Sequence, residues 1–171
     1  MDNSFYGIYQ YISETPPGIN LLLNKQNINV CYKELEYFKG MIEYFNEITP
    51  SSEETILYRG VNNNDLVSKT SFISTTSDLE VALSFSDEDN PIVFEITVSR
   101  DNRILDVSLF FLDYENNVML CENEYILLPG SLTITGLKNQ DDIQFICVEY
   151  KNTSTPEDLL EIISQHMLKK G

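Results

Sequence analysis

The feature that most limits the fold is a change of hydrophobic period shortly before residue 55. From about Cys31 to Ile48, apolar residues return every three or four positions, at Leu35, Phe38, Ile42 and Phe45. Tyr37, Met41 and Tyr44 widen the stripe. This spacing is one face of an amphipathic helix, and the stripe is core. Thr49-Pro50-Ser51-Ser52 ends it, as turn-forming residues do. Beyond that point apolar and hydroxyl residues come in short runs: Thr55 to Tyr58, Thr70 to Thr76, Ile92 to Val98, Arg103 to Val107, Tyr125 to Leu128, Ser131 to Thr135 and Ile143 to Tyr150. Such runs read as strands.

Shorter helices flank this pattern. Ser4 to Ser13 carries closely spaced aromatics and Ile, and Pro16-Pro17-Gly18 breaks the chain after it. Ser77-Asp78 stands before Leu79, Val81, Ala82, Leu83 and Phe85, the layout of an N-capped short helix. Thr155-Pro156-Glu157-Asp158 opens a C-terminal helix with proline in its first turn and acids beside it. Helices first and then many strands predict an α+β fold with antiparallel pairing, not repeated βαβ units. A chain of 171 residues, 42% of them apolar, suits one domain over 1–171 with a real core.

Charge and histidine content narrow the chemistry. Twenty-seven acidic residues face eleven basic ones, a formal net charge of −16. That field repels phosphate backbones, so nucleic acid is not an expected partner. It favours solubility, or attraction to a basic protein. The single histidine, His166, falls in the C-terminal helix and is expected to face solvent. Histidine-based triads and histidine-rich zinc sites are therefore not expected. Cys31, Cys121 and Cys147 are odd in number and widely spaced, which suits a reducing compartment and no metal knuckle. No glycine-rich dinucleotide or Walker-type loop is present. No secretory signal and no membrane span are expected from the apolar runs.

Three short pieces carry chemistry. Tyr58-Arg59-Gly60 ends a strand with an arginine beside a glycine. Phe72-Ile73-Ser74-Thr75-Thr76 places small hydroxyls on an apolar strand. Glu122-Asn123-Glu124 leads into Tyr125-Ile126-Leu127-Leu128-Pro129-Gly130. Two carboxylates at i and i+2 on an extended segment are expected to share a face. Alone, each piece is common on protein surfaces.

Together and in this order, over roughly residues 30 to 150, they resemble the arginine-specific mono-ADP-ribosyltransferases of the Arg–Ser–Glu class. That family has an arginine on an early strand, Ser-Thr-Ser on the next and Glu-x-Glu before a later one. Val81-Ala82-Leu83-Ser84-Phe85 is similar to the segment that follows the family's Ser-Thr-Ser strand. Thr76 stands where the third motif residue is usually serine; the hydroxyl is kept. The resemblance implies N-terminal helices, a mainly antiparallel two-sheet β core of the ADP-ribosyltransferase type and a C-terminal helix. It implies NAD+ as co-substrate without a metal, and an arginine-bearing protein target. Glu124, Glu122, Ser74 and Arg59 become the expected catalytic residues. Arg59, Gly60, Ser74, Thr75, Thr76, Phe85 and Glu124 become the expected NAD+ site.

The chemistry fits those assignments. An arginine fork binds a pyrophosphate bidentately, where lysine offers a point charge. Loss of nicotinamide passes through an oxocarbenium-like state, which a carboxylate near the ribose stabilises. The resemblance gives that work to Glu124, with Ser74 and Thr76 holding the network and Phe85 stacking on the nicotinamide ring. A guanidinium is protonated at physiological pH, so a second carboxylate, Glu122, is expected to orient it and take its proton. Glutamate at that position goes with arginine acceptors in the family.

Three alternatives stand beside this reading. An NAD+ glycohydrolase would use the same residues with water as acceptor. A degenerate relative would only bind a partner or NAD+. A glycosidase would place its carboxylates on opposite sides of the scissile bond, which a pair two residues apart on one strand does not do. A monomer acting in a cytosol is expected, a host cytosol for a viral or delivered protein.

Overall fold

In a computed structural model of the protein, the described residues are 2–14, 16–25, 29–62, 68–110 and 123–170. They form two compact units, Met1–Thr49 with Ser154–Gly171, and Pro50–Thr153.

The first unit is helical: α1 (Asn3–Ser13), α2 (Gly18–Leu23), α3 (Tyr32–Glu47) and α5 (Pro156–Lys170). The periodic residues of α3 are all buried, as their spacing requires: Leu35, Phe38, Met41, Ile42 and Phe45. Helix α3 packs against both α1 and α5. The α1–α3 crossing is close because glycines sit in it. A Cβ on Gly7 would collide with the Tyr37 carbonyl, and one on Gly40 with the Asn3 backbone. Asp2 caps α1 by accepting from the Phe5 N–H at 3.1 Å. The Ser4 hydroxyl donates to the same carboxylate and holds its pKa below the usual range. At α3 the Glu34 carboxylate accepts from the Cys31 N–H at 2.8 Å and completes a capping box. Helix α5 opens with the same reciprocal arrangement between Thr155 and Asp158. It ends on Lys169 and Lys170, the sign its dipole favours. Leu159 and Ile163 are its buried stripe. His166 lies on the flank of that stripe and is half-buried, not solvent-facing as the sequence suggested. Helix α2 follows directly where Pro16-Pro17-Gly18 suggested only a break. Among the described residues no helix is long and apolar enough to cross a membrane.

The second unit is built on one mixed sheet of seven strands: β1 (Thr55–Val61), β2 (Ile73–Thr76), β3 (Ile92–Val98), β4 (Ile104–Asp106), β5 (Glu124–Leu127), β6 (Gly130–Gln140) and β7 (Ile143–Asn152). Their order is β4-β5-β2-β1-β3-β7-β6. Helix α4 (Leu79–Ser84) and a short 3-10 turn (Val107–Phe110) complete it. One face buries Leu57, Ile73, Ile96, Val98, Leu127, Val148 and Tyr150. On the other, Ala82 of α4 packs with Val93 and Phe145.

The expected two-sheet core is corrected here to a single mixed sheet, five of whose six strand pairings are antiparallel as expected. β3 and β7 run parallel. The two halves, β4-β5-β2 and β1-β3-β7-β6, are tied by one register pair between β1 and β2, Tyr58↔Thr76. By comparison, β1 pairs with β3 along its whole length, from Thr55↔Val98 to Val61↔Ile92. The join is therefore a fork: past Tyr58, the backbones of β1 and β2 part. All four residues of β2 pair with β5, and its register with β1 is this one pair.

Candidate active site

The fork gathers most of the motif residues. Arg59 is the residue after the last β1–β2 pair. There the β1 backbone no longer reaches β2, and the side chain does so instead: an Nη of Arg59 donates to the Ser74 carbonyl at 2.8 Å. Arg59 is half-buried, with its Nε shielded from solvent. The tie to Ser74 thus includes the main-chain carbonyl, where the sequence suggested the hydroxyl.

Strand β2 is set by its pairing with β5, Ser74↔Ile126, Thr75↔Tyr125 and Thr76↔Glu124. Paired residues point to the same side and neighbours alternate. Ser74, Thr76 and Glu124 therefore share a face with Tyr58, whereas Arg59, one residue on, starts from the opposite face and reaches the Ser74 carbonyl from there. Thr76 is directly opposite Glu124, and Ser74 sits one step diagonally from it. Thr75 is not brought to this face. It is buried, and its hydroxyl donates to the Tyr125 carbonyl at 2.7 Å, locking β2 to β5.

The turn after β2 is held as tightly. The Thr76 hydroxyl accepts from the Asp78 N–H at 3.1 Å, and Asp78 caps α4 by accepting from Glu80 at 2.9 Å. The Asn123 carbonyl accepts from the Ser77 N–H at 3.2 Å, pinning the start of β5 beside the start of α4. Asn123 has φ of 48°, in the left-handed region that Asn tolerates better than most residues. Asn123 is thus not extended, and strand alternation gives no reason to expect the carboxylates on either side of it to share a face. Glu122 and Cys121 lie outside the described residues.

Helix α4 ends at Phe85, its C-cap, with 54% of the residue exposed. The Phe85 carbonyl accepts from the Asn62 side chain at 3.4 Å. Val61, Asn62, Ser84, Phe85 and Ile92 contribute to the lining of a cavity of about 700 Å³. Gly60 explains how α4 comes so close to β1. Its φ is not positive, so its role is space: a Cβ would run into the Ala82 carbonyl and crowd Phe85. Gly60→Ala is expected to lower stability by about 2–3 kcal/mol through overpacking against backbone. Urea unfolding checks it; an unchanged midpoint would mean that α4 is free to shift away.

The Leu-Leu-Pro-Gly tail of the third motif has a structural cause. The buried Tyr150 hydroxyl donates to the Leu128 carbonyl at 2.7 Å, and burial pushes its pKa up. A Cβ on Gly130 would meet the Lys151 carbonyl and the Tyr150 ring, each at 2.5 Å. Sequence reasoning missed this lock and the Asn62 contact; neither has a short-range signal. Among the described residues no group of three His, Cys, Asp or Glu side chains could hold a metal.

No protein-family model and no curated protein matches the sequence. Solved structures match in fold. Exoenzyme S from Pseudomonas aeruginosa, in complex with human 14-3-3 protein beta and bound to carba-NAD, aligns with TM-score 0.61 and 14% identity over 86% of this chain and 72% of its own. The ADP-ribosyltransferase Vis from Vibrio splendidus, in complex with agmatine, aligns with TM-score 0.57 and 16% identity over 91% and 79%. The ADP-ribosylating toxin BECa of a C. perfringens binary enterotoxin, with NADH, aligns with TM-score 0.63 and 15% identity over 88% of this chain and 44% of its own. The chain shares the fold of these ADP-ribosylating proteins.

Proposed function

We propose that the protein is an NAD+-dependent mono-ADP-ribosyltransferase, its residues 1–171 one catalytic domain, that transfers ADP-ribose to arginine side chains of a protein target and releases nicotinamide. The observation that carries this reading is the placement of Arg59, Ser74, Thr76 and Glu124 at and beside one fork in the sheet, on a fold shared with ADP-ribosyltransferases. Neighbours with this fold are solved with carba-NAD, with NADH and with agmatine, a small guanidine.

The residues present suit NAD+ as a substrate. Arg59 has five N–H donors in a planar fork, a geometry that suits a pyrophosphate, and the bond to the Ser74 carbonyl helps to fix the group at the fork of the sheet. Glu124, fixed opposite Thr76, stabilises the positive charge that grows on the ribose as nicotinamide leaves. Ser74 and Thr76 keep that carboxylate and Arg59 in register. Phe85, exposed beside the cavity, offers a ring face to the nicotinamide. Glu122 orients the acceptor guanidinium and takes its proton.

Arg59→Lys is expected to weaken NAD+ binding by roughly tenfold and to slow turnover, because the ammonium keeps the charge and loses the fork. Calorimetric titration checks it. An unchanged dissociation constant would leave Arg59 with only its tie between β1 and β2.

A second reading, NAD+ glycohydrolase, is favoured by Asn123, whose left-handed backbone removes the geometric reason for placing Glu122 beside Glu124. Labelled NAD+ incubated with the protein and a cell lysate tests both readings. Label on an arginine of a lysate protein, located by mass spectrometry, supports the transferase; label only in free ADP-ribose supports the hydrolase.

A further inference from the structure

The helical unit carries an aromatic face that the proposed reaction does not use. Helix α1 has no charged residue from Asn3 to Ser13, in a chain that is 22% charged. Its solvent side presents Tyr6, 41% exposed, and Tyr9, 45% exposed. These rings belong to a continuous row. Phe5 stacks on Tyr9 with centroids 6.4 Å apart and meets Tyr6 edge-on at 5.7 Å. Tyr6 in turn meets Tyr37 of α3 at 5.2 Å. At the end of the row a cation is already seated: the Lys33 Nζ lies 5.3 Å from the Tyr37 ring centroid.

We propose that this aromatic row is the docking surface for a basic protein segment, whose lysine and arginine side chains it holds by cation–π contact. Ring faces carry negative quadrupole potential, and guanidinium and ammonium groups settle on them. The unit that carries the row has a net charge of the complementary sign. The helical unit holds nine acidic residues and five basic ones, a net of −4, within a chain of net −16. A membrane surface fits less well. Interfacial helices use lysine and arginine on their polar side, whereas α1 has neither, and anionic lipid is repelled by the chain. The proposal does not rest on the reaction above, and its test reads binding alone.

The test is fluorescence anisotropy of a labelled oligo-arginine peptide titrated with the full chain. Three proteins are compared at one salt concentration: wild type, Tyr6→Leu/Tyr9→Leu and Tyr6→Phe/Tyr9→Phe. The acidic residues are the same in all three, so differences report the rings. The leucine variant is expected to bind roughly tenfold more weakly, two ring contacts being lost. The phenylalanine variant is expected to match wild type. Thermal unfolding by circular dichroism controls for the fold. If the double leucine variant melts early, the two single variants replace it, each expected to lose about threefold. Wild-type affinity in the leucine variants would overturn the proposal. So would equal losses with leucine and phenylalanine, which would assign the binding to the hydroxyls. Co-sedimentation with phosphatidylcholine vesicles is the last arm: none is expected, and sedimentation that the leucine variant loses would reassign the face to a membrane.

Discussion

Glu124→Gln is expected to lower both ADP-ribosyl transfer and NAD+ hydrolysis by on the order of 10²- to 10³-fold, with NAD+ affinity near the wild-type value. The side chain keeps its size, so the ground-state fit is preserved. The backbone around it is held independently of its charge. The Asn123 carbonyl is bonded to the Ser77 N–H at 3.2 Å, and the Tyr125 carbonyl to the Thr75 hydroxyl at 2.7 Å. Only the negative charge is lost, and that charge matters chiefly when the ribose becomes cationic. The drop should therefore fall on kcat and leave KM alone. Assays of nicotinamide release and label transfer, with a binding titration, check all three quantities. Wild-type turnover in this variant would remove Glu124 from the mechanism.

The second large effect concerns the acceptor. Glu122→Gln is expected to reduce transfer to arginine, or to agmatine, by about 10²-fold or more, as loss of a general base does. Hydrolysis of NAD+ should continue at a slow rate, because with water as acceptor there is no guanidinium to deprotonate. Asn123 gives this experiment its weight. With the left-handed backbone between the two glutamates, strand alternation no longer argues that both face one cleft. The role of Glu122 rests on the family resemblance and on guanidinium chemistry. One variant assayed two ways decides it. A proportional fall in both activities would mean that Glu122 only shapes its segment, and arginine specificity would lose its main support.

The helices were legible where their period was long. Leu35, Phe38, Ile42 and Phe45 are buried on α3 because sixteen residues give the stripe room to repeat. Helix α2 was not legible: six residues, beginning at Gly18 behind Pro16-Pro17, are too few for a period to show. Strand positions could be read, but strand partners could not. The single Tyr58↔Thr76 pair that merges the halves of the sheet is a tertiary contact with no local trace. Strand β6 outruns its expected end because a bulge between Ile134 and Gly136 breaks the alternation that sequence reading follows. The order Arg59, Ser74, Glu124 was readable as a motif. The face of each residue was not read with it: alternation along β2 sends Thr75 away from Ser74 and Thr76.

The most direct measurement is the fate of NAD+ incubated with the wild-type protein and agmatine, followed by liquid chromatography and mass spectrometry. Nicotinamide and ADP-ribosyl-agmatine are expected to appear together in equal amounts. Nicotinamide balanced by free ADP-ribose alone would contradict transfer to arginine, and undiminished NAD+ would contradict the proposed enzyme altogether.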